Sequence, residues 1–211
     1  MTSLQLRQRD MVVLEALALR VRVLGQRQAA DAFWSGHIAN TRRRLQQLVT
    51  EGLLTRAFVP ARPLPEILQP IVRWQPGQPM PDANRISNQL QSRWKFRSLR
   101  PTVVYFPTEK TILQFGGRNR SQNKTTQITH DLGVTATWIR YFQQNSQLTS
   151  VWVGEEVLAP TRIDQKLPDA ALVDQHGEPV LLIEFGGSYA AARVAAFHDD
   201  AAYRQLPYHL W

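Results

Sequence analysis

The sequence predicts an α+β protein with two domains, and three observations support that prediction. The first 60 residues follow the order helix, helix, glycine-containing turn, basic helix and strand. Residues 60–81 contain seven of the thirteen prolines, which forbid a regular helix and confine strands to sheet edges. From Thr129 the pattern becomes helix, three strands, helix and strand. We therefore expect domains at 1–80 and 128–211, with 81–127 as a connecting segment.

The composition excludes several functional classes. The 211 residues contain no cysteine, which excludes disulfides, thiolate zinc sites and cysteine nucleophiles and predicts a cytoplasmic protein. No apolar stretch approaches the length of a membrane span, and the charged residues among the first twenty argue against a signal peptide. The motifs of P-loop ATPases, zincins and α/β-hydrolases are absent. We therefore expect no membrane partner.

The net charge of +8 is distributed unevenly along the chain. Residues 1–60 hold nine Lys and Arg against four Asp and Glu, residues 61–130 hold eleven against three, and residues 131–211 hold five against ten. A basic excess confined to the first 130 residues favours nucleic acid as the partner over an anionic membrane surface. A solubilising surface is the simpler interpretation, but solubility alone does not require this asymmetry.

The N-terminal elements follow from hydrophobic spacing and from the turn glycines. Ser35-Gly36 is expected to form a turn, and Gly52 lies just past the end of a helix. The predicted elements are helices at about 4–19, 26–33 and 37–51 and a strand at 53–59. This is the order of a winged helix-turn-helix, with Ile71–Trp74 as the expected second strand of the wing.

The third predicted helix carries side chains that suit DNA recognition. Its core face is expected to hold Ile38, Leu45 and Val49. Arg pairs with guanine and Asn or Gln with adenine in the major groove, so the opposite face is a candidate for binding double-stranded DNA. The predicted DNA-binding residues on that face are Asn40, Arg43, Arg44 and Gln47. Two alternatives stay open: a solvated face of an ordinary helical bundle, or a protein-binding winged helix.

The connecting segment contains three predicted features. A helix is expected at 83–95, and it ends in a run of alternating basic and aromatic residues at 93–97 that suits either DNA backbone contact or core packing. A hairpin is expected from Pro101–Phe106 and Thr111–Phe115. Residues 116–127 contain no aliphatic or aromatic side chain and should form an exposed loop. The loop carries three basic side chains that could contact phosphates: Arg118, Arg120 and Lys124. Alternatively, the loop is only a flexible connection between the two domains.

Two acidic residues are predicted at comparable heights on neighbouring strands. Asp169 opens one apolar run, Glu184 lies near the end of the next, and residues 176–179 form the turn between them. Paired carboxylates suit Mg²⁺ and phosphodiester hydrolysis. This layout resembles the PD-(D/E)XK nuclease-like fold, whose core has the order αβββαβ, with Asp169 and Glu184 as the matching acids. The lysine that this fold carries two residues after the Glu is replaced by Gly186.

Cleavage would require a cation supplied from elsewhere in the chain. Lys166 is the candidate catalytic residue if the site is active, and Arg193 is a poorer one because a guanidinium stays protonated. Both acids could instead have structural roles without binding a metal. Asp169 would then be a residue at the start of a strand or turn, and Glu184 would be a buried acid paired with Arg193. Because Gly186 replaces the lysine, we expect a nuclease-like domain that binds or assembles rather than cleaves.

The short motifs of the C-terminal half, placed after a winged helix, resemble the replication-relaxation family. The motifs are His130-Asp131-Leu132-Gly133-Val134, Pro168-Asp169, Glu184-Phe185-Gly186-Gly187, Phe197-His198 and Leu206-Pro207-Tyr208. The matching positions are His130, Asp169 and Glu184.

The resemblance implies a DNA-binding protein of a bacterial plasmid or mobile element that acts in replication, mobilisation or its regulation. It also implies association with the nucleoid or plasmid, and a homodimer, relaxosome proteins or replication proteins as partners. Mg²⁺ is the cofactor considered, at Asp169 and Glu184. Two alternatives come from other classes: a Mg²⁺-dependent endonuclease that uses these acids, and a protein-interaction scaffold.

Overall fold

The computed structural model describes residues 4–117, 127–162 and 166–211 and has the predicted α+β character. The chain forms two compact units, each built from two segments. The first unit comprises Met1–Pro63 and Leu99–Ile139, and the second comprises Leu64–Ser98 and Arg140–Trp211. The chain therefore passes between the units three times, whereas the domain boundaries predicted from the sequence were at 80 and 128. The difference arises because each unit pairs strands that are far apart in sequence.

The first unit combines helices with a three-stranded antiparallel sheet. Its helices are α1 (Gln8–Glu15), α2 (Gln26–Phe33), α3 (Ile38–Thr50) and α5 (Glu109–Gln114), and α6 (Ile128–Gln144) begins in this unit. A π-helical turn at Ala16–Arg20 extends α1. The strands are β1 (Leu24–Gly25), β2 (Leu54–Ala61) and β4 (Arg100–Pro107). Their order is β1–β4–β2, and β2 pairs with β4 over its full length.

The core face of α3 differs by a small rotation from the predicted one. Thr41, Leu45 and Leu48 are buried, whereas Ile38 is 40% exposed. Thr41 tolerates burial because its hydroxyl donates a hydrogen bond to the His37 carbonyl at 2.9 Å. The prediction was wrong for Ile38 because a polar Thr was not counted as a core residue.

Two predictions about strands in the central segment were wrong. The expected second strand of a hairpin, Thr111–Phe115, lies largely in α5, because the Thr108 side chain caps the first turn by accepting a hydrogen bond from the Thr111 backbone. Ile71–Trp74 does not pair with β2; its last three residues form strand β3 of the second unit. The partner of β2 is instead β4, which lies about 40 residues further along the chain.

The second unit contains a five-stranded mixed sheet. Its helices are α4 (Ala83–Ser92), α7 (Ser146–Ser150), α8 (Glu155–Leu158) and α9 (Ala191–Tyr203), together with the end of α6. Its strands are β3 (Val72–Trp74), β5 (Trp152–Gly154), β6 (Ala170–Val173), β7 (Pro179–Glu184) and β8 (Tyr208–Leu210). The strand order is β3–β8–β7–β6–β5, in which β7 and β8 are parallel and the other pairs are antiparallel.

The order of elements from α6 onward is the predicted helix, three strands, helix and strand. The short helices α7 and α8 and a 3₁₀ turn at Ala159–Thr161 are inserted into this order, and the first of the three predicted strands is the short β5. Residues from α4, α9 and the sheet form one apolar core that includes Leu90, Leu182 and Phe197. The antiparallel pairing of β6 with β7 places Ala170 opposite Ile183, so the acids preceding and following these positions are neighbours.

Candidate functional site

The solvent-facing side of α3 forms a polar ridge. Asn40, Arg43 and Gln47 recur at helical spacing on this side and are exposed. A guanidinium nitrogen of Arg43 lies 3.5 Å from Oδ1 of Asn40. Three of the four predicted DNA-binding residues of α3 therefore project together from one helix face.

Arg44, the fourth predicted DNA-binding residue of α3, is engaged inside the first unit. Its Nε donates to Oδ1 of Asp10 at 3.0 Å, and one terminal nitrogen donates both to Oδ2 of Asp10 at 2.5 Å and to the Gln5 carbonyl at 2.8 Å. The other terminal nitrogen donates to the Gln47 side chain at 2.9 Å. Because at least four N–H donors are committed in this way, Arg44 joins α1 to α3.

Electrostatics favour the charged forms of both partners in this ion pair. Burial alone would raise the pKa of the Asp10 carboxyl, but hydrogen bonds from Arg44 and the Arg7 backbone N–H outweigh it and lower the pKa below its ordinary value. The hydrogen bond to Asp10 raises the pKa of Arg44. The Asp10 side chain is only 2% exposed and that of Arg44 15%, so this is a largely desolvated pair.

An open groove of about 930 Å³ runs along one side of the ridge, between α3 and β2. Its walls include Arg42 and Gln46 from α3 and Arg56 from β2, in addition to the ridge residues. The Arg56 guanidinium carbon lies 4.6 Å from the centre of the Phe58 ring. This groove, called here the strand-side groove, is therefore lined by basic side chains from a helix and a strand.

A second groove of about 630 Å³ lies on the other side of the ridge, against α1. Its walls include Arg7, Arg9 and the indole of Trp34. The Arg9 guanidinium carbon lies 5.3 Å from the centre of the Trp34 ring. The ridge residues line both grooves, so the ridge separates this helix-side groove from the strand-side groove.

The outer walls of these grooves are formed by residues that were not predicted from the sequence. Arg7, Arg9 and Arg56 belong to elements other than α3, and only the fold brings them beside it. The available signal was the basic excess of residues 1–60, which indicated a basic surface without locating it. Three further predicted phosphate contacts lie outside the described residues: Arg118, Arg120 and Lys124.

The two predicted acids of the second unit are neighbours. The Asp169 backbone N–H donates to Oε2 of Glu184 at 3.1 Å, and the Phe185 backbone N–H donates to Oδ2 of Asp169 at 2.7 Å. Glu184 is only 4% exposed, whereas Asp169 is partly buried. The pairing of β6 with β7 thus brings the acids together as predicted, and each carboxylate binds the backbone of the other strand.

Tyr189 is a partner of Glu184 that the sequence analysis did not identify. Its hydroxyl donates to Oε1 of Glu184 at 2.5 Å. Burial, and then the negative charges of Glu184 and Asp169, raise the pKa of Tyr189, so the phenol keeps its proton. Arg193, which the structural alternative paired with Glu184, lies over the Tyr189 ring with its guanidinium carbon 4.0 Å from the ring centre.

Position 186, where the nuclease-like fold carries lysine, is packed tightly. A Cβ at Gly186 would lie 2.8 Å from Cδ1 of Leu90 and 3.1 Å from Cδ1 of Leu210. Leu90 is fully buried in the core of the second unit. The glycine is therefore explained by the close approach of α4 and β8 to the end of β7.

The other predicted catalytic and matching residues have separate surroundings. The Lys166 backbone carbonyl accepts from Arg162, its backbone N–H donates to Asp200 at 3.4 Å, and its side chain is exposed. His130 is half-buried in the first turns of α6. Within the part of the chain that the structure describes, no group of three or more His, Cys, Asp or Glu side chains is arranged to hold a metal. Asp169 and Glu184 offer two oxygen-bearing groups for Mg²⁺, but the lysine position is closed, so no cleavage step follows from their geometry.

Comparisons of the chain with family models, curated proteins and solved structures gave no match. Across residues 4–117, 127–162 and 166–211, no helix combines the length and the apolar character that crossing a bilayer requires.

Proposed function

We propose that this protein binds double-stranded DNA through the exposed ridge of α3. The observation that carries the proposal is the position of the ridge between two grooves with basic walls. The major groove of DNA admits an α-helix and is bordered by a sugar–phosphate strand on each side. Asn40, Arg43 and Gln47 then face the base edges, and the arginines of the two grooves face the flanking phosphates.

The arrangement of the first unit supports this proposal. Up to β4, its helices and strands follow the order α1, β1, α2, α3, β2 and β4, and its sheet has the order β1–β4–β2. In a winged helix-turn-helix, α2 and α3 form the helix-turn-helix, α3 enters the major groove, and the last two strands form the wing. Here the chain between those two strands contributes Leu64–Ser98 to the second unit.

The proposal extends to a role for the protein on a bacterial plasmid or mobile element. This role is inferred because the short motifs around His130, Asp169 and Glu184 resemble those of the replication-relaxation family. We infer a function in replication, mobilisation or its regulation, in association with the nucleoid or plasmid. A homodimer, relaxosome proteins and replication proteins are the partners that fit this role.

For the second unit we propose a PD-(D/E)XK-like domain that does not cleave DNA. The mixed sheet and the pairing of Asp169 with Glu184 support the fold, while the close packing at Gly186 supports the lack of cleavage. In this proposal the two acids tie β6, β7 and Tyr189 together. The second candidate function, a Mg²⁺-dependent endonuclease, is favoured by the proximity of the same two acids.

Duplex binding is tested by substituting one ridge residue and one matched control. Arg43→Ala should weaken binding to a mixed-sequence duplex by about 5- to 150-fold, which corresponds to about 1–3 kcal/mol for one bidentate base contact. Arg85→Ala on α4 of the second unit removes the same charge from an exposed side chain, and it should leave duplex affinity nearly unchanged. Fluorescence anisotropy at several salt concentrations measures both variants.

Two outcomes would overturn the DNA-binding proposal. Equal duplex affinity of the wild type and Arg43→Ala would show that the ridge of α3 is not the DNA-binding surface. Absence of duplex binding at low salt would favour the protein-interaction scaffold.

The nuclease alternative is tested separately by incubating supercoiled and single-stranded DNA with Mg²⁺ or Mn²⁺. Cleavage by the wild type that is lost in both Asp169→Ala and Glu184→Ala would establish the enzyme, and further loss in Lys166→Ala would identify its lysine.

A further inference from the structure

A turn after α4 presents a phenylalanine to solvent in an unfavourable backbone conformation. Phe96 is 98% exposed and has φ = 64°. A helix often ends with a left-handed residue, but that residue is usually glycine because a Cβ is disfavoured there. Phe96 therefore combines two costs, exposure of an aromatic ring and a strained backbone, and neither benefits folding.

The residues on either side of Phe96 hold this turn firmly. The buried Trp94 donates its indole N–H to the Gly187 carbonyl at 2.7 Å, and its ring packs edge-on against Phe185. The Arg97 guanidinium donates to the Arg93 carbonyl at 2.8 Å and to the Leu64 carbonyl at 2.9 Å. The surrounding structure thus fixes the backbone of the turn while leaving the Phe96 ring open, so a ligand would meet a ring whose point of attachment is already in place.

The charge around Phe96 selects the chemistry of that ligand. Lys95 is exposed beside it, and residues 83–98 of the second unit contain four basic residues and no acidic residue. An exposed aromatic ring next to an exposed cation suits an unpaired nucleotide, whose base offers a π face for stacking and whose phosphate can pair with Lys95. In a duplex, neighbouring base pairs cover those faces.

We infer that Phe96 is a stacking site for a base of single-stranded DNA. This site belongs to the second unit, and the inference does not depend on duplex binding by α3. The residues of the basic-aromatic run at 93–97 accordingly have different roles. Trp94 packs in the core and Arg97 fixes the turn, whereas Phe96 and Lys95 contact the single-stranded DNA.

The test compares a thymidine oligonucleotide with an abasic deoxyribose phosphate oligomer of the same length. Both carry the same charge, so the ratio of the two affinities isolates base contact from phosphate contact. The wild-type protein should prefer the oligonucleotide by about 5- to 150-fold, as expected for stacking of one base. Phe96→Gly should reduce this ratio to near one. Because glycine suits the left-handed conformation, that variant should unfold at the wild-type temperature or above it.

Three further variants make the result specific. Phe96→Tyr should keep the preference, whereas Phe96→Leu should lose it while retaining an apolar side chain. Tyr203→Ala is the matched control, because Tyr203 is also 87% exposed but lies at the end of α9 next to acidic residues; it should leave the ratio unchanged. An unchanged preference in Phe96→Gly, or no preference in the wild type, would overturn the inference. Neither result would bear on duplex binding by α3, which the Arg43→Ala experiment tests separately.

Discussion

The Arg44 guanidinium forms a bidentate ion pair with the buried Asp10 carboxylate, with nitrogen–oxygen distances of 3.0 and 2.5 Å. This contact joins the first turn of α1 to the middle of α3, the helix that carries the ridge. Arg44 is therefore important for the position of the ridge. A simultaneous substitution of Arg43 and Arg44 would mix a loss of DNA contact with a loss of structure.

Removal of one partner from this pair should strongly destabilise the protein. We expect Asp10→Ala to lower the free energy of unfolding by about 3–5 kcal/mol, because it leaves the Arg44 charge largely desolvated without its counterion. Urea denaturation at neutral pH measures the change. Asp31→Ala breaks an exposed pair with Arg27 and should cost less than about 1 kcal/mol. Similar losses in the two variants would mean that the buried pair contributes little.

The two grooves predict a division between affinity and sequence preference. Arg7→Ala and Arg42→Ala should each make the negative slope of log affinity against log salt shallower by about 0.9, because each removes one phosphate contact. Neither should alter the ranking of different duplex sequences, whereas Asn40→Ala should alter it. Titrations of several duplexes at four salt concentrations measure both effects. An altered ranking in Arg7→Ala would place that residue at the bases instead.

The sequence predicted elements whose determinants are local and missed contacts between distant residues. The apolar spacing located α3, and the two apolar runs joined by a turn located β6 and β7. Nothing local indicates that β3 pairs with β8 at the C-terminus. The same limit applies to the sites: Asp169 and Glu184 are recognisable because one hairpin joins them. The partnership of Arg44 with Asp10, 34 residues earlier, requires the packed fold.

Restoring the lysine of the nuclease-like fold should destabilise this protein. In Gly186→Ala the new Cβ would lie 2.8 Å from the Leu90 side chain, and we expect a loss of about 1–3 kcal/mol from overpacking. Gly186→Lys should lose at least as much and gain no nuclease activity. The matched control is the double variant Gly186→Ala/Leu90→Ala, in which the cost of the Gly186 substitution should largely disappear relative to Leu90→Ala alone. A fully stable Gly186→Lys would contradict the packing argument.

The hydrogen bond from Tyr189 to Glu184 should compete with cations for the same oxygen. We expect Tyr189→Phe to lower the free energy of unfolding by about 1.5–3 kcal/mol, the range for a hydrogen bond to a charged group. Removing the donor also leaves Oε1 of Glu184 more available, so Mn²⁺ should stabilise Tyr189→Phe more than it stabilises the wild type. Thermal denaturation with and without Mn²⁺ measures both effects, with Tyr189→Phe/Glu184→Gln as the control. An identical response to Mn²⁺ in all three proteins would exclude this competition.

Stability should decrease with acid in a pH range set by His209. Burial, together with the positive charge of Arg73, lowers the pKa of His209 to about 4, and its Nδ1 lies 2.5 Å from the Tyr141 hydroxyl. The unfolded chain takes up a proton on this imidazole below its ordinary pKa of about 6.5, whereas the folded protein does so only near pH 4. The free energy of unfolding should therefore be highest above about pH 6.5. It should fall by about 1–2 kcal/mol as the pH decreases to about 4, because His209 is only partly shielded from solvent.

The His209 contribution is separable from that of the other shifted groups. Burial also lowers the pKa of His198, so His198 adds to the same loss on acidification, whereas the lowered pKa of Asp10 acts only below its ordinary value of 3.8. His209→Gln should reduce the dependence of stability on pH between about 4 and 6.5, even though its absolute stability is lower. His37→Gln, at an exposed position before α3, should retain the wild-type dependence. Urea denaturation across this range decides the matter, since an unchanged pH dependence in His209→Gln would assign the acid sensitivity to other groups.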